Sequence, residues 1–311
     1  MKKHVSIIIP YRNTYEYLVK LLDSIGNRQE VDIIVIDDQS DKFVEEYQTL
    51  TKNPNYSHVQ FLKNNSNKRS AGIGRNIGLK HAKGSWILFA DADDYFLENY
   101  FDAISKYFDS DYDVVFFPPT SLNRDTGEKT QRHTHFIDKL EAYQQDSKKY
   151  INEINLRYKL YVPWSKLIRK DFIDKHKLYF DDVFVKNDSL FSVSVGYYME
   201  KFAISDQIIY CVTSHSQGHL TYRNDDLFVE ESTKSRIHLL AFLDEHLGEK
   251  EKKIIEFYEL PFYHIELLKQ NNVSEQNLNK AQTMFIEAGY KVETFKSKIV
   301  KLVRWIKGNR N

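Results

Sequence analysis

Cysteine is nearly absent: Cys211 is the single one in 311 residues. This excludes an intramolecular disulfide and a cysteine-rich metal site. Charge of one sign is not in excess either, since 44 basic side chains face 44 acidic ones. A strongly basic nucleic-acid footprint is therefore missing, and no nucleic-acid partner is expected. Long apolar runs are lacking too, and no segment approaches the ~18 apolar residues that cross a bilayer. The opening MKKHVSIIIPYRN has two lysines but too short an apolar run for a signal peptide. A cytoplasmic chain is the expectation. What remains is an ordinary globular composition, 41% hydrophobic and 28% charged, long enough for one large domain or two ordinary ones. Tyrosine (21) and phenylalanine (20) are plentiful, which suits aromatic-lined clefts and a well-packed core equally.

One stretch organises the rest. In residues 84–98, GSWILFADADDYFLE, the apolar run 86–90 reads as a buried strand that ends in Asp91, Asp93 and Asp94. Unpaired carboxylates there are costly to desolvate. Asp-x-Asp at a strand end suits a hard divalent cation, although an acidic loop or a helix N-terminus also favours Asp. Asp94 is read as a helix-capping residue.

The same pattern recurs along the chain. VSIII (5–9) ends at Pro10, and DIIVI (32–36) ends at Asp37-Asp38. Helical spacing appears over 14–27, 42–52, 71–82, 98–108 and 136–160, with further strands near 58–62, 113–117 and 202–213. Strand-helix alternation with apolar strands predicts an α/β domain with a mostly parallel sheet flanked by helices. Ligands of such sheets gather beyond the carboxyl ends of the strands, where Pro10, Asp37, Asp38, Asp91 and Asp93 all fall. From about 226 onward strand signals stop, so the domains are set at 1–225 and a smaller α-helical region at 226–311. Residues 121–135 read as a hairpin or loop, with His133 and His135 taken as surface histidines in preference to a metal pair. AGIGRNIG (71–78) imitates a dinucleotide fingerprint, but its last glycine is one residue too far and it does not follow the first strand.

Taken in order, VSIIIPYRN (5–13), DIIVIDDQSD (32–41), AGIGRNIGLKHAKGSWILFADADD (71–94), PWSKLIRKDF (163–172) and VKNDSLF (185–191) resemble the family 2 glycosyltransferases, inverting enzymes of the GT-A fold. The resemblance implies a nucleotide-diphosphate sugar donor, most often uridine diphosphate linked. Its base would rest near Pro10 and Tyr11, with Asp37 or Asp38 on the uracil ring and Arg75 beside the nucleotide. The family's Asp-x-Asp falls on Asp91 and Asp93, which would contact the ribose or bind Mn²⁺ or Mg²⁺ at the diphosphate. Asp188 occupies the position of the general base, with a helix N-cap as its other reading; Asn187 stands where the family usually has Glu. Gln39 stands where the family generally has Gly, so the turn after the second strand is expected to differ. Trp164 and Lys166 match a recurrent acceptor-side pair, Trp164 stacking on an acceptor sugar or lying buried beside Pro163. His215 and His219 are candidates for a late metal ligand, and Arg223 for a diphosphate contact. The implied activity is transfer to a glycan or lipid-linked acceptor of a capsule, lipopolysaccharide core or teichoic-acid-type polymer. A sugar nucleotidylyltransferase, or a non-catalytic nucleotide-sugar-binding module of the same fold, is the rival.

Residues 291–311 carry Lys291, Lys296, Lys298, Lys301, Arg304, Lys307 and Arg310 against one acid, Glu293. Phe295, Ile299, Leu302, Val303 and Ile306 share one helical face. A basic amphipathic helix of this kind predicts peripheral attachment to an anionic membrane surface.

Overall fold

The computed structural model describes residues 3–214 and 223–293. The chain forms two compact units, Met1–Asp182 with Asn187–Gln217, and Val183–Lys186 with Gly218–Asn311. Residues 183–186 thus cluster with a unit whose remainder begins more than thirty positions later, a return for which a linear reading has no signal.

In the first unit, β1 (Val5–Tyr11) and β2 (Val31–Asp37) are buried along their whole length. Near-continuous apolar strands of this kind belong to a sheet covered on both faces. Helix α1 (Tyr15–Ile25) joins them, burying Leu18, Leu21, Leu22 and Ile25. There follow α2 (Val44–Lys52), β3 (Val59–Lys63), α3 (Ala71–His81), β4 (Trp86–Phe89), β5 (Tyr95–Phe96) and α4 (Tyr100–Ser105). Next come β6 (Val114–Phe116), β7 (Thr120–Asn123), α5 (Thr134–Gln145), α6 (Tyr150–Tyr158) and β8 (Lys166–Arg169). The unit ends with α7 (Lys170–Lys175), α8 (Asp188–Tyr198), β9 (Phe202–Ile204) and β10 (Tyr210–Ser214).

The seven-stranded sheet runs β3-β2-β1-β4-β8-β6-β9, with β8 alone reversed. A smaller sheet, β5-β10-β7, pairs β10 antiparallel to β5 and parallel to β7. The mostly parallel sheet is as expected; the reversed strand is an addition. Leu167 and Ile168 of β8 are fully buried between β4 and β6.

Two helical expectations need correction. The stretch 136–160 is two helices, because QQDSKK (144–149) offers no apolar residue to continue a buried face. Asn152 Nδ2 donates to the carbonyls of Ala142 (2.8 Å) and Asp146 (3.0 Å), closing the end of α5. The helix expected at 98–108 is confined to α4. It starts after Asn99, so Asp94 does not cap it.

The glycines of AGIGRNIG serve packing. A Cβ on Gly78 would come within 2.3 Å of Ile8 Cγ2, and one on Gly72 within 2.4 Å of the Asp181 carbonyl oxygen. They bring α3 down onto β1 and onto the chain ahead of α8, which sets Arg75 at the sheet edge.

In the second unit the described residues form α9 (Asp226–His246), α10 (Glu249–Ile254), α11 (Leu260–Gln270) and α12 (Glu275–Glu287), without strands, as expected. Asp225 and Ser274 cap α9 and α12 by accepting the amides of Phe228 (3.1 Å) and Asn277 (3.3 Å). Phe228, Leu240, Phe262, Leu268 and Phe285 fill the core. His264 is buried among them, its Nε2 3.1 Å from Thr233 Oγ1. The basic amphipathic stretch lies outside the described residues from 294 onward. Among the described residues, no helix is long and apolar enough to cross a membrane.

Candidate active site

The carboxyl ends of β1, β2 and β4 form one edge, with α3 and α8 beginning beside it. Pro10 ends the apolar run of β1, and its Cβ would meet a Cβ on Gly74 at 3.2 Å, so α3 lies close against it. Tyr11 follows, fully buried, its ring stacked on Tyr47 with centroids 4.6 Å apart. Burial and the nearby Asp37 push its hydroxyl up to about 12. The ring is thus packed in the core, and the Tyr11 carbonyl accepts the Asp38 amide at 2.8 Å.

Asp37 and Asp38 are both buried. Asp37 Oδ1 accepts the Ser40 amide at 3.0 Å. Asp38 Oδ1 accepts Asn64 Nδ2 (2.6 Å) and the amide of Ser70, the N-cap of α3 (3.2 Å). Gln39 between Asp38 and Ser40 takes a left-handed backbone, φ 59°, after all. Its side chain donates to the Ser66 carbonyl at 2.6 Å, which offsets a conformation that favours glycine.

Arg75, 4% exposed, links three parts of the edge. Nη2 meets Asp91 Oδ1 at 2.6 Å, Nη1 donates to Asn187 Oδ1 at 3.0 Å, and the guanidinium lies 5.2 Å from the Phe180 ring centroid. Asn187 therefore orients Arg75 by a neutral hydrogen bond, in a position where a carboxylate would give an ion pair.

Asp93 pairs with a second arginine, Arg124, and the three carboxylates part company in burial. The side chains of Asp91 and Asp93 are 34% and 36% exposed. Asp94 is buried, its Oδ2 accepting the Tyr210 hydroxyl (2.9 Å) and its Oδ1 the Thr213 amide (2.7 Å). Burial foremost, then the charges of Asp93 and Asp91, hold its carboxyl well above the usual range. The Tyr210 hydroxyl also accepts the Asp91 amide at 2.9 Å. Asp94, expected to cap a helix, instead ties the Asp-x-Asp turn to β10.

The donor set fits a hard cation. Asp91 and Asp93 each spend one oxygen on an arginine and keep Oδ2 and Oδ1, respectively, without a protein donor among the described residues. Two carboxylates completed by substrate phosphates and water is a pattern Mg²⁺ and Mn²⁺ accept. Among the described residues no group of three or more His, Cys, Asp or Glu is placed to hold a metal ion by itself. His215 and His219 lie outside the described residues. His133 and His135 do not meet: Nδ1 of the first lies 2.6 Å from Ser121 Oγ, and Nε2 of the second 3.2 Å from the Lys159 carbonyl.

Asp188 is the first residue of α8, and the N-cap position belongs to Asn187. Its carboxyl is pushed up by burial and by Asp91, against the opposing pull of Arg75 and Lys166. A carboxylate of raised basicity at a helix N-terminus is equipped to take a proton.

Of the acceptor-side pair, Trp164 takes its buried alternative and Lys166 is corrected. Trp164 is 7% exposed, stacked between Phe136 (5.5 Å) and Tyr210 (6.0 Å), so no free face remains for a sugar. Lys166 is 2% exposed and donates to the Leu160 carbonyl at 2.7 Å. Burial lowers it to about 7, with Asp188 opposing. Arg223 belongs to the helical unit, where it pairs with Asp225 at 2.6 Å and lies over Phe184. Sequence reasoning missed Arg124, Tyr210 and Thr213. None stands in a motif, and all three come from β7, β10 or their ends.

The model of Glycosyl transferase family 2 matches residues 6–177. The uncharacterized glycosyltransferase EpsJ of Bacillus subtilis is 26% identical over 270 residues, 82% of this chain and 69% of its own. The poly(ribitol-phosphate) beta-N-acetylglucosaminyltransferase TarS of Staphylococcus aureus is 32% identical over 94 residues, 29% of this chain and 16% of its own. The chain spans half or less of the first sequence relatives it matches. The crystal structure of TarS 1–349 with UDP-GlcNAc superposes with a TM-score of 0.58 at 18% identity, covering 93% of this chain and 89% of that one. The mannosyltransferase PcManGT of Pyrobaculum calidifontis, with GDP-Man and Mn²⁺, gives 0.56 at 12% identity, covering 98% and 80%.

Proposed function

The chain belongs to glycosyl transferase family 2, and from that premise we propose that it moves a sugar from a uridine diphosphate donor to a hydroxyl of a glycan or lipid-linked acceptor in cell-surface polysaccharide synthesis, with inversion. The observation that carries the reading is the convergence of Asp91, Asp93, Arg75 and Asp188 on one sheet edge, with Arg75 bridging Asp91 to Asn187 beside the base. TarS, bound to UDP-GlcNAc, shares the fold and supports the donor class.

Each residue has a task. Asp37 and Asp38 sit where a base would be read, and Arg75 holds Asp91 in place. Asp91 and Asp93 are the residues that would hold Mn²⁺ or Mg²⁺; when bound, the cation supplies positive charge to the leaving diphosphate. Asp188 accepts the acceptor hydroxyl's proton as the new bond to the anomeric carbon forms and the bond to the diphosphate breaks. Attack opposite the leaving group inverts that carbon. The pattern of residues 291–311 supports a membrane surface as the place where the acceptor is met; full-length protein should sediment with anionic liposomes, and its failure to do so while active would remove that part.

A thermal-shift panel of uridine, guanosine and thymidine diphosphate sugars, each with and without Mn²⁺, tests the donor claim. A ligand at about 100 times its Kd stabilises the fold by about 2.7 kcal/mol. Uridine donors with Mn²⁺ should give the largest rise; no rise with any nucleotide sugar would overturn the reading.

A further inference from the structure

Arg124 occupies the carboxylate on which the metal reading depends, and its seat is built rather than casual. Its amide donates to the Ser214 carbonyl at 2.8 Å, carrying the β7–β10 pairing to the root of the side chain. The side chain is 6% exposed, whereas that of Asp93 is 36% exposed. Nη2 lies on Asp93 Oδ2, Nε donates to Thr213 Oγ1, and the guanidinium stands 4.2 Å from the Tyr17 ring centroid. Thr213 is itself fixed: its hydroxyl donates to the Asp93 carbonyl, and its own carbonyl accepts Arg132 Nη1 at 2.6 Å. A planar guanidinium fork matches this pair of oxygens as an ammonium would not.

A dication and a guanidinium compete for the same negative charge. A carboxylate shared between them attracts each less than it would attract either alone. Whatever draws the guanidinium away therefore tightens the metal, and by reciprocity the metal loosens the guanidinium. A diphosphate, rich in acceptor oxygens, is a natural second seat for a fork that has lost its carboxylate.

We propose that Arg124 is the exchange partner of the metal: it holds Asp93 while the cation is absent and gives it up when Mn²⁺ and the donor bind together, the diphosphate taking the released guanidinium. The inference rests on the reading of Asp91 and Asp93 as the metal site. It makes metal and donor binding more cooperative than bridging alone would.

The test is electron paramagnetic titration of free Mn²⁺ with full-length protein, wild type and Arg124→Gln, each with and without UDP. Loss of one charge-assisted hydrogen bond is worth about tenfold in affinity. Without UDP, Arg124→Gln should therefore bind Mn²⁺ about tenfold more tightly than wild type. UDP should then tighten Mn²⁺ less in the variant than in wild type. Equal or weaker Mn²⁺ binding by the variant without UDP would overturn the inference while leaving the metal reading intact. No Mn²⁺ uptake by either protein, with or without UDP, would overturn the metal reading and the inference with it. Arg124→Lys, which keeps the charge but cannot span Asp93 and Thr213, covers a Gln variant that fails to fold. It should bind Mn²⁺ about threefold more tightly than wild type, and no change would overturn the proposal.

Discussion

The two sides of the candidate site's sheet edge hold their charges in different ways. On the side of β1, β2 and α3, the acids sit in a motif segment at the end of β2, and their partners come from that turn, the end of β3 and the start of α3: Asp37 with Ser40, and Asp38 with Asn64 and Ser70. On the side of β7 and β10, the partners come from the smaller sheet and its ends: Arg124 after β7 for Asp93, and Tyr210 and Thr213 of β10 for Asp94. The first side is a set of clips among the adjacent ends of two paired parallel strands and the helix after the second of them. The second is a cross-brace between two sheets. A site can thus be half inscribed in its motifs and half in its topology.

If the division is right, chemistry and donor binding should separate by mutation. Asp188→Asn should lower transfer by about 10²–10⁴-fold, the usual worth of a general base, with UDP affinity nearly unchanged. Steady-state rates beside calorimetric UDP binding check this; a lost nucleotide affinity would move Asp188 to the donor side. Trp164→Ala should cost about 3–5 kcal/mol of stability, as large core aromatics do, without a selective rise in acceptor KM in the folded fraction. Denaturant unfolding measures the first and acceptor kinetics the second. A selective KM defect would return Trp164 to the acceptor.

The smallest effect concerns pH. Asp188 must be ionised to act, so activity should rise with pH through a limb above the ordinary carboxylate range. Lys166, lowered to about 7, still carries its charge in the acid range where a carboxylate titrates. Its charge favours the ionised form of Asp188, so Lys166→Met should move the limb toward higher pH. An unmoved limb in the pH profile of kcat/KM would mean that Lys166 does not act on the base.

Much of the fold was legible because VSIII, DIIVI and WILFA are apolar runs that end in Pro or Asp, and alternation with helices leaves few arrangements for them. Asp91 and Asp93 stand at the end of such a run, whereas Arg75 and Asp188 are singled out by the family resemblance; the structure brings Arg75 onto Asp91 and sets Asp188 at the start of α8. What stayed hidden needed the third dimension. The reversed strand β8 is four residues after a proline-tryptophan turn, with no alternation to announce it. Trp164 and Lys166 have the residue types of a binding surface, yet packing buries both. Arg124 sits in a polar stretch whose character says only that the chain turns. Gln39 shows the converse: a residue type unsuited to a left-handed turn adopts it, because a hydrogen bond to Ser66 holds it there.

Calorimetric titration of UDP, with and without Mn²⁺, into wild type, Asp93→Asn and Asp188→Asn bears most directly on the division of labour along this edge. Wild type and Asp188→Asn should bind UDP with similar affinity and gain from Mn²⁺, while Asp93→Asn should lose the gain. A gain that persists in Asp93→Asn, or vanishes in Asp188→Asn, would contradict the assignment of diphosphate grip and base to opposite residues.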